Sequence, residues 1–147
     1  MDILNEVHIS MDAKSENESF ARVAAAGFIA GLDPTMAELN EVKTAVSEAV
    51  TNAVIHGYDS GVSGKIRLKF TLDANSTVTI TVSDSGKGIS NVEEAMQPLY
   101  TSKPEMERSG MGFTVMETFM DSTAVSSKPG EGTTITMTKN FRASGDE

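Results

Sequence analysis

The chain has 147 residues, 39% of them hydrophobic, and 12 basic against 21 acidic side chains, for a formal charge of −9. Its length fits a single domain, residues 1–147. The acidity argues against direct nucleic-acid binding, which needs clustered Lys and Arg. There is no Cys, which excludes disulfides and thiolate metal sites. No basic-then-apolar leader opens the chain and no apolar run approaches ~18 residues, so a cytoplasmic protein without a membrane segment is expected.

In chain order, Ile3 to Met11 reads as a first strand, with Ile3, Val7 and Ile9 apolar. Ser15 to Gly31 reads as a helix whose stripe is Phe20, Val23, Ala24, Gly27, Phe28 and Gly31, the two glycines suggesting close helix packing. A second helix starts near Leu32-Asp33-Pro34-Thr35. Either Asp33 caps it with Pro34 in the first turn, or Thr35 caps it with Glu38 completing a capping box. It runs through Leu39, Val42, Val46, Ala49, Val50 and Ala53 to Gly57, a natural C-cap.

The period then changes to two. Ile66, Leu68, Phe70 and Leu72 alternate with polar residues, as do Val78, Ile80 and Val82, with a hairpin at 73–76 between them. Gly112 to Met120 predicts a third helix, Thr123 to Ser127 a short strand, 129–132 a turn, and Ile135 and Met137 a last strand. The stretch 85–112 holds two glycine clusters and few regular apolar positions, the signature of a functional or mobile segment. Residues 141–147 read as a flexible tail. The fold expected is a two-layer α/β (α+β) sandwich, a mixed, mainly antiparallel sheet with helices on one face.

Four short stretches carry candidate chemistry. In Ser47-Glu-Ala-Val-Thr-Asn-Ala-Val-Ile-His-Gly57, Glu48, Asn52 and His56 recur at four-residue steps. At helical spacing Glu48 and Asn52 are about 40° apart and sit beside the buried stripe, not on it. There Asn52 can offer a carbonyl oxygen to a hard cation such as Mg²⁺, and Glu48 can take a proton from a hydroxyl. The ordinary reading is an acidic helix edge in solvent. Asp84-Ser-Gly86-Lys-Gly88 follows a strand; its glycines allow a close backbone approach, and Asp84 can accept from an exocyclic amine. It lacks the closing Glu of a calcium loop and the Lys-Ser/Thr of a Walker loop. Ser109-Gly110-Met-Gly112 opens a helix and exposes backbone N–H groups to an anion. Gly132-Thr133-Thr134 enters the last strand and alone is a turn.

In this order, E-x-x-x-N, D-x-G-x-G, G-x-G and G-T-T resemble the Bergerat (GHKL) ATP-binding fold. More narrowly, Asn17-Glu-Ser-Phe-Ala-Arg22, Leu32-Asp-Pro-Thr-Met36, the Ser47 to Tyr58 stretch and Lys103 to Phe113 resemble the anti-sigma-F factors of endospore-forming bacteria. The resemblance implies a serine-protein kinase that also inhibits a sporulation sigma factor, with ATP and Mg²⁺ bound. It implies Glu48 as general base, Asn52 as Mg²⁺ ligand, Asp84 reading adenine with Gly86 and Gly88 shaping its loop, and Gly110 and Gly112 beside the phosphates. Thr133 would lie beside adenine, and 98–108 would be a lid with Ser102, Lys103 and Arg108 on phosphate. Arg22 would contact a partner; its ordinary reading is a surface pair with Glu18. Implied partners are a sigma factor, an anti-anti-sigma factor phosphorylated on serine, and a second copy of the chain. Alternatives are a histidine-kinase catalytic domain, an ATP-dependent binding module without transfer, and an unrelated acidic α+β protein.

Overall fold

A computed structural model describes residues 2–57, 64–86 and 112–141, with the backbone alone at 56 and 57. The elements are β1 (Ile3–Asp12), α1 (Asn17–Ile29), α2 (Met36–Asn52), β2 (Lys65–Asp73), β3 (Thr77–Asp84), α3 (Gly112–Phe119), β4 (Ser122–Lys128) and β5 (Gly132–Asn140). A short 3-10 turn, Ala30–Leu32, ends α1, and a π turn, Ala53–Gly57, ends α2.

The five strands form one sheet in the order β1-β2-β3-β5-β4. The sequence suggests a mixed sheet; all four ladders between the described strands are antiparallel. The period of two sets the layers. Ile66, Leu68, Phe70, Val78, Ile80, Val82, Ile135 and Met137 are buried, while Arg67 and Lys69 are exposed and Thr79, Thr81, Thr134 and Thr136 half-buried on the other face. Helices therefore cover one face. Phe28 of α1 stacks on Phe70 of β2 with ring centroids 5.4 Å apart.

The β2–β3 hairpin is fixed by Asp73, whose carboxylate accepts from the backbone N–H of Asn75 (2.8 Å) and Thr77 (3.0 Å), with Ser76 at φ 65°. At the start of α2 the capping box is the one realised. Glu38 N–H donates to Thr35 Oγ1 (3.0 Å) and Thr35 N–H to the Glu38 carboxylate (2.9 Å), while Asp33 sits in the left-handed region at φ 58°. The α2 stripe Val42, Val46, Ala49, Val50 and Ala53 is buried as the periodicity requires. Ala45 and Ser47 are buried as well, because α2 lies between α1 and α3 and touches both.

Two expectations for α1 fail. Its buried residues are Ala21, Ala25 and Ile29, whereas Phe20 is 57% and Val23 68% exposed. Ala21, Ala25 and Ile29 turn inward, while Phe20 and Val23 stay outside. Gly27 and Gly31 do not mediate close packing, since a Cβ added at either would meet nothing within 4 Å. Gly27 instead lines an apolar groove with Val7, Ile9, Ala24, Phe28 and Phe70, between α1 and the edge strand β1.

Candidate functional site

The site is built on one row of the sheet. The ladders align Met11 with Ile66, Ile66 with Asp84, Asp84 with Thr133, and Thr133 with Ser127. All five positions fall on the helix-covered face. Across this single row the buried surface changes from Met and Ile to Asp, Thr and Ser. Asp84 is 7% and Thr133 6% exposed, so both polar groups need partners.

They have them. The Asp84 carboxylate accepts from the Gly86 backbone N–H at 2.8 Å and from the backbone N–H of Thr133. Burial raises the Asp84 carboxyl above the usual aspartate range; the two N–H groups and the Arg67 guanidinium oppose that rise without cancelling it. Arg67 is itself held nearby by donating to Ser85 Oγ at 3.0 Å. The Thr133 hydroxyl lies 2.8 Å from Ser127 Oγ, and Ser127 Oγ donates to the Gly132 carbonyl at 3.0 Å.

The glycine of G-T-T has a steric role. Gly132 has φ 96°, and a Cβ there would sit 2.1 Å from the Asp84 carbonyl oxygen. Only glycine lets the first residue of β5 close against the end of β3 and bring Thr133 level with Asp84.

Glu48 and Asn52 are half-buried on the flank of α2, as their spacing requires. Ala53 N–H is shared between the carbonyls of Ala49 and Val50, and from Ala53 the helix widens into the π turn Ala53–Gly57. Such turns recur at functional sites. This one lies against β3 and β5, the strands that carry Asp84 and Thr133. The four-residue repeat therefore holds for Glu48 and Asn52 but not for His56, which lies in the π turn.

Asp84, Gly86 and Thr133 are thus brought together, and the π turn that follows Asn52 lies against their strands. Gly112 is the first residue of α3, which packs on α2. Gly88, Ser102, Lys103, Arg108, Gly110 and the 98–108 lid lie outside the described residues. Arg22 is on α1, outside this row. Its guanidinium donates to Ser19 Oγ at 3.3 Å. The ordinary alternative, a surface pair with Glu18, is not formed; the Glu18 carboxylate accepts from Ser47 Oγ of α2.

The donor set suits a chelated nucleotide. Asp84 and Thr133 offer buried polar groups to a base, and Asn52 offers a neutral oxygen. Among the described residues no three His, Cys, Asp or Glu side chains converge on a metal position. A cation held by Asn52 would complete its shell with phosphate oxygens and water, as Mg²⁺ does. Sequence reasoning gave no role to Ser47 or Ser127; only helix packing and strand register reveal their partners. No helix among the described residues is long and apolar enough to cross a membrane.

Known proteins share the sequence and the fold. Residues 11–139 match the family model for the histidine kinase-like ATPase domain. The chain is 57% identical to the anti-sigma F factor of Bacillus subtilis over 140 residues, covering 95% of each chain. It is 56% identical to the anti-sigma F factor of Clostridium beijerinckii over 137 residues, covering 93% of this chain and 95% of that one. Among solved structures, the RsbU and RsbW domains of Rv1364c from Mycobacterium tuberculosis are similar with a TM-score of 0.68 at 23% identity. That alignment spans 92% of this chain and 32% of the other and speaks to the fold alone.

Proposed function

The chain belongs to the anti-sigma F factor family, within the histidine kinase-like ATPase domains, and from that premise we propose that it joins two activities on one nucleotide site. It holds a sporulation sigma factor out of transcription, and it transfers the γ-phosphoryl group of ATP to a serine of an anti-anti-sigma factor. The observation that carries the reading is the polar row Asp84–Thr133–Ser127, built into an otherwise apolar sheet face whose strands β3 and β5 meet the π turn that follows Asn52.

In this reading Asp84 accepts from the adenine amine, and Gly86 and Gly88 let the loop close on the base. The N–H groups of Gly110 and Gly112 donate to phosphate oxygens, Gly112 from the start of α3. Ser102, Lys103 and Arg108 of the 98–108 lid add donors to the phosphates. Asn52 would hold Mg²⁺, which when bound would neutralise phosphate charge. Glu48 accepts the proton of the substrate serine hydroxyl as its oxygen bonds to the γ-phosphorus. The bond from that phosphorus to the β,γ-bridging oxygen breaks, and ADP leaves. Positioning and charge stabilisation carry most of such a transfer. Phosphorylation disables the antagonist and leaves the sigma factor held.

Arg22 on α1 is the proposed partner contact. Homodimerisation is supported by the apolar surface around it and on β1: Phe20 and Val23 are exposed, as are Ile3 (51%) and Leu4 (65%).

The test is incubation with labelled Mg·ATP and the anti-anti-sigma factor, using wild type and Glu48→Gln. Acid-stable phosphate on the antagonist with wild type, and none with a Glu48→Gln protein that still binds ATP and sigma factor, is expected. Acid-labile phosphate would favour histidine chemistry; full transfer by Glu48→Gln would remove Glu48 from its role.

A further inference from the structure

Thr133 stands beside Asp84 in the row, and its hydroxyl is the second polar group a base would meet. A hydroxyl has one proton to give, so its direction decides whether it donates or accepts. Here that direction is set by a neighbour. Ser127 Oγ donates its proton to the Gly132 carbonyl at 3.0 Å. In the 2.8 Å contact between the two hydroxyls, Ser127 is then the acceptor and Thr133 the donor. With its proton committed to Ser127, Thr133 has only lone pairs left for a ligand. Ser127 is held half-buried on β4, directly opposite Thr133, so this arrangement belongs to the sheet register.

From this geometry we propose that Ser127 is a positioning residue for base selection: it holds Thr133 as an acceptor, so that Asp84 and Thr133 together favour a 6-amino purine over a 6-oxo purine. The inference rests on the nucleotide reading above. A 6-amino group has two hydrogens and can give one to each acceptor. A 6-oxo group places an acceptor against two acceptors, and each mismatch leaves a buried oxygen unpaired. Without Ser127 the Thr133 hydroxyl is free to turn and donate to the 6-oxo oxygen. Selectivity then falls while the Asp84 contact remains.

The test measures dissociation constants for Mg·ATP and Mg·ITP by calorimetry, with wild type, Ser127→Ala and Ser127→Thr. Melting temperatures of the ligand-free proteins are recorded alongside. The expected result is that Ser127→Ala narrows the ATP-over-ITP preference about five- to tenfold, the scale of one redirected hydrogen bond, and that Ser127→Thr restores it. A purely structural Ser127 would weaken both nucleotides equally and leave the ratio unchanged, which would overturn the proposal. An unchanged ratio with tight ATP binding sinks this inference alone, whereas a wild type that binds neither nucleotide sinks the nucleotide reading with it.

Discussion

Asp84 and Thr133 face each other across β3 and β5, and the backbone N–H of Thr133 donates to the Asp84 carboxylate. The acidic group is thereby oriented before any ligand arrives, at the cost of burying a charge. Burial raises its pKa despite the N–H groups of Gly86 and Thr133 and the nearby Arg67. A carboxyl whose folded pKa exceeds its unfolded one binds its proton more tightly when folded. Its stabilising contribution is complete below the ordinary aspartate value and is lost as pH rises through the raised one. Asp84→Asn should therefore melt at or above wild type at neutral pH without nucleotide. It should also lose the part of the pH dependence that begins at about pH 4. The stabilisation by Mg·ATP should fall sharply. Melting curves between acid and neutral pH, with and without Mg·ATP, check all three.

Gly132 and Gly130 provide a matched pair. Both have positive φ, 96° and 80°, but only at Gly132 would a Cβ collide, with the Asp84 carbonyl; at Gly130 nothing lies within 4 Å. Gly130→Ala should cost about 1 kcal/mol, the left-handed penalty alone. Gly132→Ala should cost at least ~2 kcal/mol more, because backbone must move. It should also weaken ATP, since Thr133 shifts with it. Urea denaturation and nucleotide titration of the two variants separate the effects.

Lys139 ties three elements at the other end of β5. Its ammonium donates to the Phe119 carbonyl at the C-terminal end of α3 (2.7 Å) and pairs with Glu41 of α2 at 3.1 Å, with 11% of the side chain exposed. Lys139→Met keeps the apolar stem and removes the charge, leaving the helix-end carbonyl without that donor. A loss of about 1.5–3 kcal/mol is expected, the range for a hydrogen bond to a charged group. It would be read as a lower urea midpoint with an unchanged slope. An unchanged midpoint would show that solvent replaces the ammonium without loss.

The apolar face of α1 and β1 predicts association. Phe20→Ser combined with Val23→Glu puts polarity where 57% and 68% of those side chains are exposed, so the monomer fold should persist. Sedimentation at one protein concentration should show a dimer for wild type and a monomer for the double variant, with similar circular dichroism. A dimer in both would place the interface elsewhere.

The strands were readable because alternation maps directly onto burial: Ile66, Leu68 and Phe70 face in, Arg67 and Lys69 face out. The flank position of Glu48 and Asn52 followed from helical angles alone. Other features depend on tertiary packing. Phe20 and Val23 look like a core stripe, yet the face of α1 that is buried is Ala21, Ala25 and Ile29, on the helix that packs on α2. The helical period predicted through His56 is broken by the π turn at Ala53–Gly57, which no local residue signals. Ser127 became visible only once register placed it opposite Thr133. The resemblance supplied the nucleotide and the partners; the row from Asp84 to Ser127 supplies a physical reason for the first of these.

The most direct measurement is an amide NMR titration of the wild-type protein with Mg·ATP. The backbone N–H signals of Gly86 and Thr133, which already bond the Asp84 carboxylate, should shift together with those of Asn52 and Gly112 and saturate at one nucleotide per chain. Saturable binding that leaves Gly86 and Thr133 unmoved, or no binding at all, would contradict a base seated on Asp84.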